Sequence, residues 1–198
     1  MFKVTEDKIR EFLAQSDGNH SVLYPYFKDW IESKNLPNEE LFGMVEFLFF
    51  EDDYFSYYLD MKEKGINRHK IIDVGCQYGF QSVIFQEFEY IGVDITKHYT
   101  MYDEGHAKYI LGKDFTELDL DLSDSILISN MSLGYFNNWI NKTDKEIAEK
   151  LSKCDYLYIA TTGELIEELK PYYDVVEEIY DNEILGDHFR RMFFGRKS

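Results

Sequence analysis

The sequence predicts an α/β fold, and three observations predict it. From residue 70 onward, short runs rich in β-branched and aromatic residues alternate with helical or loop stretches: HKIIDVG, EYIGVDI, AKYILGKD, SDSILISN and CDYLYIATT. Runs apolar along most of their length suit a parallel sheet covered on both faces. After the fifth run the alternation stops. YYDVVEEIYDNE and HFRRMFFGRK follow one another around Gly186-Asp187 with no room for a crossover helix, so this pair is expected to be antiparallel. Before residue 70 the pattern is helical. The expectation is a Rossmann-like, seven-stranded, mostly parallel sheet with an antiparallel C-terminal strand pair, helices on both faces and a helical N-terminal segment.

The first 69 residues read as three helices. In TEDKIREFLAQ, Thr5 is placed to cap a helix whose Ile9, Phe12 and Leu13 share a face, and Asp17-Gly18-Asn19 stops it. SVLYPYFKDWIESKN carries Tyr26, Phe27, Trp30 and Ile31 at helical spacing, with Pro25 suited to the first turn. A third segment begins at Asn38, meets an acidic stretch at Glu51 to Asp53 that marks a break or a fresh cap, and ends at Gly65.

Composition bounds the function. The 198 residues fit one domain with a sizeable core, and the aromatic share of 17% points to an aromatic-rich core ahead of an aromatic-lined pocket. A formal charge of −17 repels phosphate backbones, so nucleic acid is disfavoured as a partner. The acids are spread along the chain as in a solvated, acidic surface. Cys76 and Cys154 have no CxxC partner, which argues against a disulfide framework and a zinc site and fits a cytoplasmic protein; no metal is expected. The N-terminus is charged, and no stretch approaches about 18 apolar residues, so no membrane partner is expected.

The stretch IIDVGCQYGF has the form of a strand entering a glycine turn and then a helix. Glycines let backbone N–H groups approach a ligand, and a following helix would offer its positive end. Asp94 closes the run YIGVD about 20 residues further on, where an acid can accept hydrogen bonds from ribose hydroxyls. Asp114 ends the third run, and SNMSLGYF, residues 129 to 136, follows the fourth.

In the order of these signals the chain resembles the class I S-adenosylmethionine-dependent methyltransferases, over about residues 66 to 198. Asp73, Gly75 and Gly79 match the family's first motif, with Cys76 and Gln77 between them; Gln77 stands where that motif has its middle glycine. The resemblance implies S-adenosylmethionine as cofactor, held by these residues, by Asp94 at the ribose, by Asp114 and Phe115 at the adenine, and by Asn130 in the fourth motif. It implies further that residues 1–69 lid the site and select the substrate while residues 70–198 bind the cofactor, with Tyr24, Tyr26, Met131 and His188 as candidate substrate contacts. A methyl group would pass to a small-molecule acceptor, or to a protein, by direct displacement without a dedicated catalytic base. Asn130 invites comparison with amine-methylating enzymes, although Met131-Ser132 replace their proline-aromatic continuation.

Two other readings stay open. Gln77 and the altered fourth motif suit a catalytically silent, methyltransferase-like module that binds a partner through its acidic surface. Gly75, Gly79 and Asp94 would also serve a nicotinamide dinucleotide, against which stand the terminal strand pair and the incomplete GxGxxG.

Overall fold

The computed structural model describes residues 4–15, 21–34, 50–97, 101–102, 105–134, 137–180 and 190–196. Its seven strands are β1 (Lys70–Val74), β2 (Glu89–Asp94), β3 (Ala107–Leu111), β4 (Ser125–Asn130), β5 (Tyr156–Thr161), β6 (Val175–Tyr180) and β7 (Arg190–Gly195). They form one sheet in the order β3-β2-β1-β4-β5-β7-β6. The first five are parallel, and β7 runs antiparallel to both its neighbours. The fold is therefore the one the strand pattern implies. Strand order reverses between β1 and β4, which makes the carboxyl ends of those two strands the topological switch point, the place where open α/β sheets bind ligands.

Alternation along the strands sends side chains into two cores. Ile71, Tyr90, Ile126, Ile128, Tyr158 and Phe193 face a layer built by α1 (Glu6–Gln15), α2 (Tyr24–Lys34) and α3 (Glu51–Glu63). Ile72, Val74, Leu127, Leu157, Ile159 and Phe194 face the opposite layer. There, after the short α4 (Asn137–Ile140), α5 (Asp144–Leu151) and α6 (Gly163–Leu169) supply Ile147, Leu151, Leu165 and Leu169. The first core is aromatic: Phe55, Tyr57, Phe80, Phe85 and Tyr90 are all essentially inaccessible. Many of the described rings therefore build core, as the aromatic share suggests.

The helix boundaries follow local chemistry. Thr5 Oγ1 accepts from Lys8 N–H at 3.3 Å and starts α1. α3 starts at Glu51, so the acidic stretch opens a helix, with Glu51, Asp52 and Asp53 all in its positive first turn. Just past its end Gly65 takes φ +62° and stops it, while Ile66 N–H reaches back to Met61 O at 3.0 Å. Glu51 also caps another helix. Its carboxylate accepts from Ser21 Oγ at 2.6 Å, Val22 N–H at 2.6 Å and Leu23 N–H at 3.2 Å, fixing the start of α2. Residues 35–49, where the third helical segment was expected to begin, lie outside the described residues.

One expectation fails. After the glycine turn the chain forms a four-residue 3-10 turn, Phe80–Val83, followed by irregular turns up to β2, and no α-helix. Phe80, Gln81, Ser82, Val83, Ile84 and Phe85 are buried in succession, without the exposed side that a surface helix keeps. The covering layer here is α3, whose Tyr54 and Tyr58 rings pack 6.5 and 6.3 Å from that of Phe85. Among the described residues no helix is long and apolar enough to cross a membrane.

Candidate functional site

The turn after β1 is held in three ways. Gly75, Gln77 and Gly79 take φ values of +82°, +45° and +77°, so Gln77 adopts the left-handed backbone of the glycine it replaces. Gly75 N–H bonds to Val93 O at 2.8 Å, tying the turn to β2. The buried Gln81 amide donates to Asp73 Oδ2 at 2.7 Å and to Cys76 O at 3.0 Å, locking the turn from beneath.

Asp94 completes this arrangement from the end of β2. Its Oδ2 accepts from Gln77 N–H at 2.8 Å and its Oδ1 from Thr96 N–H at 2.7 Å. It thus caps the turn that follows it and also closes the glycine turn. Asp114 lies just beyond β3, where Lys113 N–H bonds to Asp94 O at 3.2 Å. Its Oδ1 accepts from Thr116 N–H and Thr116 Oγ1, each at 2.8 Å, and so starts the short turn Phe115–Glu117. Phe115 is buried in the second core, with the Lys150 ammonium 5.7 Å from its ring centre.

Asn130 ends β4 beside the switch point. Its Nδ2 donates to Asp53 Oδ2 at 2.9 Å, and Asp53 Oδ1 accepts from Arg191 Nε on β7. This orients the amide, leaving Asn130 Oδ1 buried with no hydrogen-bond partner among the described residues. Met131 follows at φ +57°, its N–H bonded to Ala160 O at 3.0 Å.

Electrostatics set this edge apart. Burial raises the Asp73 carboxyl to about 7; the Tyr90 hydroxyl and the Gln81 amide oppose the rise, and the Asp94 charge adds to it. Burial, with the charges of Asp73 and Asp94, also pushes the Cys76 thiol well above its ordinary value. That leaves it a packed thiol and a poor nucleophile.

The candidate substrate residues are dispersed. Tyr24 and Tyr26 are 42% and 45% exposed on α2. The α2 rings that reach the turn are instead Phe27 and Trp30, 4.6 and 5.2 Å from the Phe80 ring. His188 lies outside the described residues. Asp53, Gln81 and Arg191 hold the site without having stood out in the sequence. The acidic stretch at residue 51 was the one local signal, and it read as a helix start.

No protein-family model matches the chain, and no curated protein matches it. Solved structures do. A candidate S-adenosyl-L-methionine-dependent methyltransferase from Methanococcus maripaludis aligns over 80% of this chain and 92% of its own, at 12% identity and TM-score 0.54. The N-methyltransferase NodS from Bradyrhizobium japonicum WM9 aligns over 75% of this chain and 97% of its own, at 11% identity and TM-score 0.52. The bifunctional kinase-methyltransferase WbdD covers 95% of this chain with 46% of its own, at 12% identity and TM-score 0.52. At these identities the similarity is one of fold: the chain has the class I S-adenosylmethionine-dependent methyltransferase fold.

Proposed function

We propose that this protein is an S-adenosylmethionine-dependent methyltransferase acting on a small-molecule acceptor. One observation carries the reading. At the sheet's switch point, a left-handed Gly75–Gly79 turn is bonded directly to Asp94, with Asp114 and Asn130 at the ends of the neighbouring strands.

The residues present fit the cofactor in chemistry. The backbone of Gly75, Cys76, Gln77 and Gly79 would face it, Asp94 would take the ribose, Asp114 and Phe115 the adenine, and Asn130 the reacting end. Asp94 is a carboxylate at the end of β2 that accepts from Gln77 N–H and Thr96 N–H, and carboxylate oxygens are acceptors of the kind ribose hydroxyls need. The buried Asn130 Oδ1 is an acceptor that a polar group bound at this edge would satisfy. When bound, the cofactor supplies an electrophilic methyl group carried on a sulfonium. The chain's part is alignment and exclusion of water, supported here by the aromatic wall of Phe27, Trp30, Phe80 and Tyr102 beside the turn.

A second reading, a methyltransferase-like binding module without turnover, is favoured by one specific observation. The Ser132 side chain lies over Gly75 and the Tyr109 ring over Gly79, and no α-helix follows the turn. Such a module would use the acidic surface to hold a basic partner. In either reading we propose a cytoplasmic protein, on its two cysteines without a CxxC partner, and a substrate other than nucleic acid, which the net charge of −17 disfavours.

Isothermal titration with S-adenosylmethionine and S-adenosylhomocysteine tests the first reading. Wild type is expected to bind at micromolar concentration, and Asp94→Ala to lose binding. Absence of binding of either ligand to wild type removes the methyltransferase reading and leaves the second.

A further inference from the structure

We propose that the β2–β3 end of the second sheet face is a docking surface for a basic amphipathic helix of another protein. The crossover from β3 to β4, residues 112–124, is described throughout and contains no α-helix, only the short turn Phe115–Glu117. Parallel strands are usually joined by a helix, and a parallel sheet is normally covered on both faces. Here non-helical chain stands in the helix's place. It is held by Lys70 Nζ, which donates to Asp121 O at 2.9 Å, and from α5 by Lys150 Nζ, which donates to Leu118 O.

The cover is incomplete. Phe115 and Leu122 are buried, whereas Ile91 of β2, Ile110 of β3, and Leu118 and Leu120 of the crossover are only half-buried where they pack against the second core. Val93 is the register partner of Ile110 and lies two positions after Ile91, so the two isoleucines share this face. β3 is the sheet's edge, and the Glu89–Lys108 pair, at 2.6 Å, bounds the face at its amino end. None of the four half-buried residues is assigned to the cofactor, so the surface stands under either reading above.

The rim defines the partner. In TELDLDLSD the leucines alternate with Glu117, Asp119 and Asp121, all three exposed, and residues 114–124 hold five acids and no basic residue. Of the lysines around it, Lys108 is bonded to Glu89, and Lys70 and Lys150 to backbone carbonyls; Lys113 stands exposed at the far margin. An apolar strip rimmed by acids complements a helix that carries leucine-like residues on one side and lysine or arginine beside them. A second copy of the chain fits less well. It carries the same charge of −17, and a symmetric contact would set one acidic rim against the other.

The test uses two fluorescein-labelled synthetic peptides of identical leucine and lysine composition. One has leucines at i, i+3, i+4 and i+7, on a single helix face, and the other has them scrambled around the helix. Fluorescence anisotropy is measured with the full chain as wild type, as Leu120→Ser and as the double variant Glu117→Lys/Asp119→Lys, each checked for an unchanged fold by circular dichroism. Wild type is expected to bind the amphipathic peptide at least about 10-fold more tightly than the scrambled one, and each variant to lose at least about 10-fold. The double variant changes exposed side chains only, so it carries the test if Leu120→Ser folds poorly. Equal binding of the two peptides, or of neither, overturns the docking surface, since net charge alone would then account for any attraction. A preference for the amphipathic peptide that survives in both variants overturns it too, by placing the helix elsewhere. A wild-type dimer in light scattering that Leu120→Ser dissociates would give the face to a second copy and also overturn it.

Discussion

Asp53 and Arg191 form an ion pair in which each side chain is 1% exposed, joining the first turn of α3 to β7. Asp53 also accepts from Asn130, so one carboxylate ties the N-terminal helical layer to two strands at the switch point. Removing one partner takes the counter-ion of this pair from a buried charge, which costs far more than the pair contributes against apolar residues of similar size. Asp53→Ala is therefore expected to destabilise the protein by about 3–5 kcal/mol in urea unfolding, and the double variant Asp53→Leu/Arg191→Met to recover most of the loss. A double variant as unstable as Asp53→Ala would show that the polar network itself, and not the arginine deprived of Asp53, is what matters.

Stability should rise on mild acidification. Glu51 is raised to about 7 by burial, against the opposing hydrogen bonds from Ser21, Val22 and Leu23, and Asp73 to about 7 by burial. Each binds its proton more tightly in the folded chain than in the unfolded one, where the values are the ordinary 4.5 and 3.8. Their contribution is complete below those ordinary values and is lost as the pH rises through about 7, on the order of 3 kcal/mol each. The urea midpoint at pH 5.5 should exceed that at pH 8, and Asp73→Asn should flatten the difference by roughly half. The exposed Glu11, Glu89, Asp121 and Glu146 are shifted down and act in the opposite sense, below about pH 4.5. A midpoint that is flat or falling between pH 8 and 5.5 would mean that both buried carboxyls stay ionised.

The strands and the site's outline were legible because their signals are local. Runs such as KIIDV and SILISN announce buried strands, and Gly75, Gly79 and Asp94 stand at strand ends where spacing alone places them. What holds the site was not legible, because it is made at long range. Asp53 meets Asn130 across 77 positions and Arg191 across 138, and Ser132 meets Gly75 only once the sheet has formed. The missing helix after the turn has the same origin. FQSVIF reads as a helix start in isolation, but α2, α3 and Tyr102, packed from elsewhere in the chain, cover Phe80 and Phe85, and all six residues are buried.

Trp30 should report ligand binding. Its ring stands edge-on to Phe80 at 5.2 Å and to Tyr102 at 5.7 Å, and Phe80 directly follows Gly79. A ligand seated on the turn would alter the surroundings of Phe80 and hence of the indole. S-adenosylhomocysteine is expected to give a saturable change in tryptophan emission at the calorimetric Kd. Trp139→Phe should keep the change and Trp30→Phe should lose it. Retention of the signal in Trp30→Phe would place the binding event elsewhere.

The contact between Gly75 and Ser132 can be measured without any ligand. Gly75→Ala meets two separate penalties, a left-handed backbone at φ +82° and a collision with the Ser132 hydroxymethyl group. Left-handed strain costs an alanine about 1–2 kcal/mol and is indifferent to residue 132. The collision vanishes once the serine is shortened. A double-mutant cycle over Gly75→Ala and Ser132→Gly should therefore show a favourable coupling of about 1–2 kcal/mol in urea unfolding, with the strain left as the residue. Gly79→Ala supplies the control: it takes φ +77° and meets the Tyr109 ring, so Ser132→Gly should not rescue it. Zero coupling between positions 75 and 132 would mean that the backbone carrying Ser132 yields to the added methyl group at little cost.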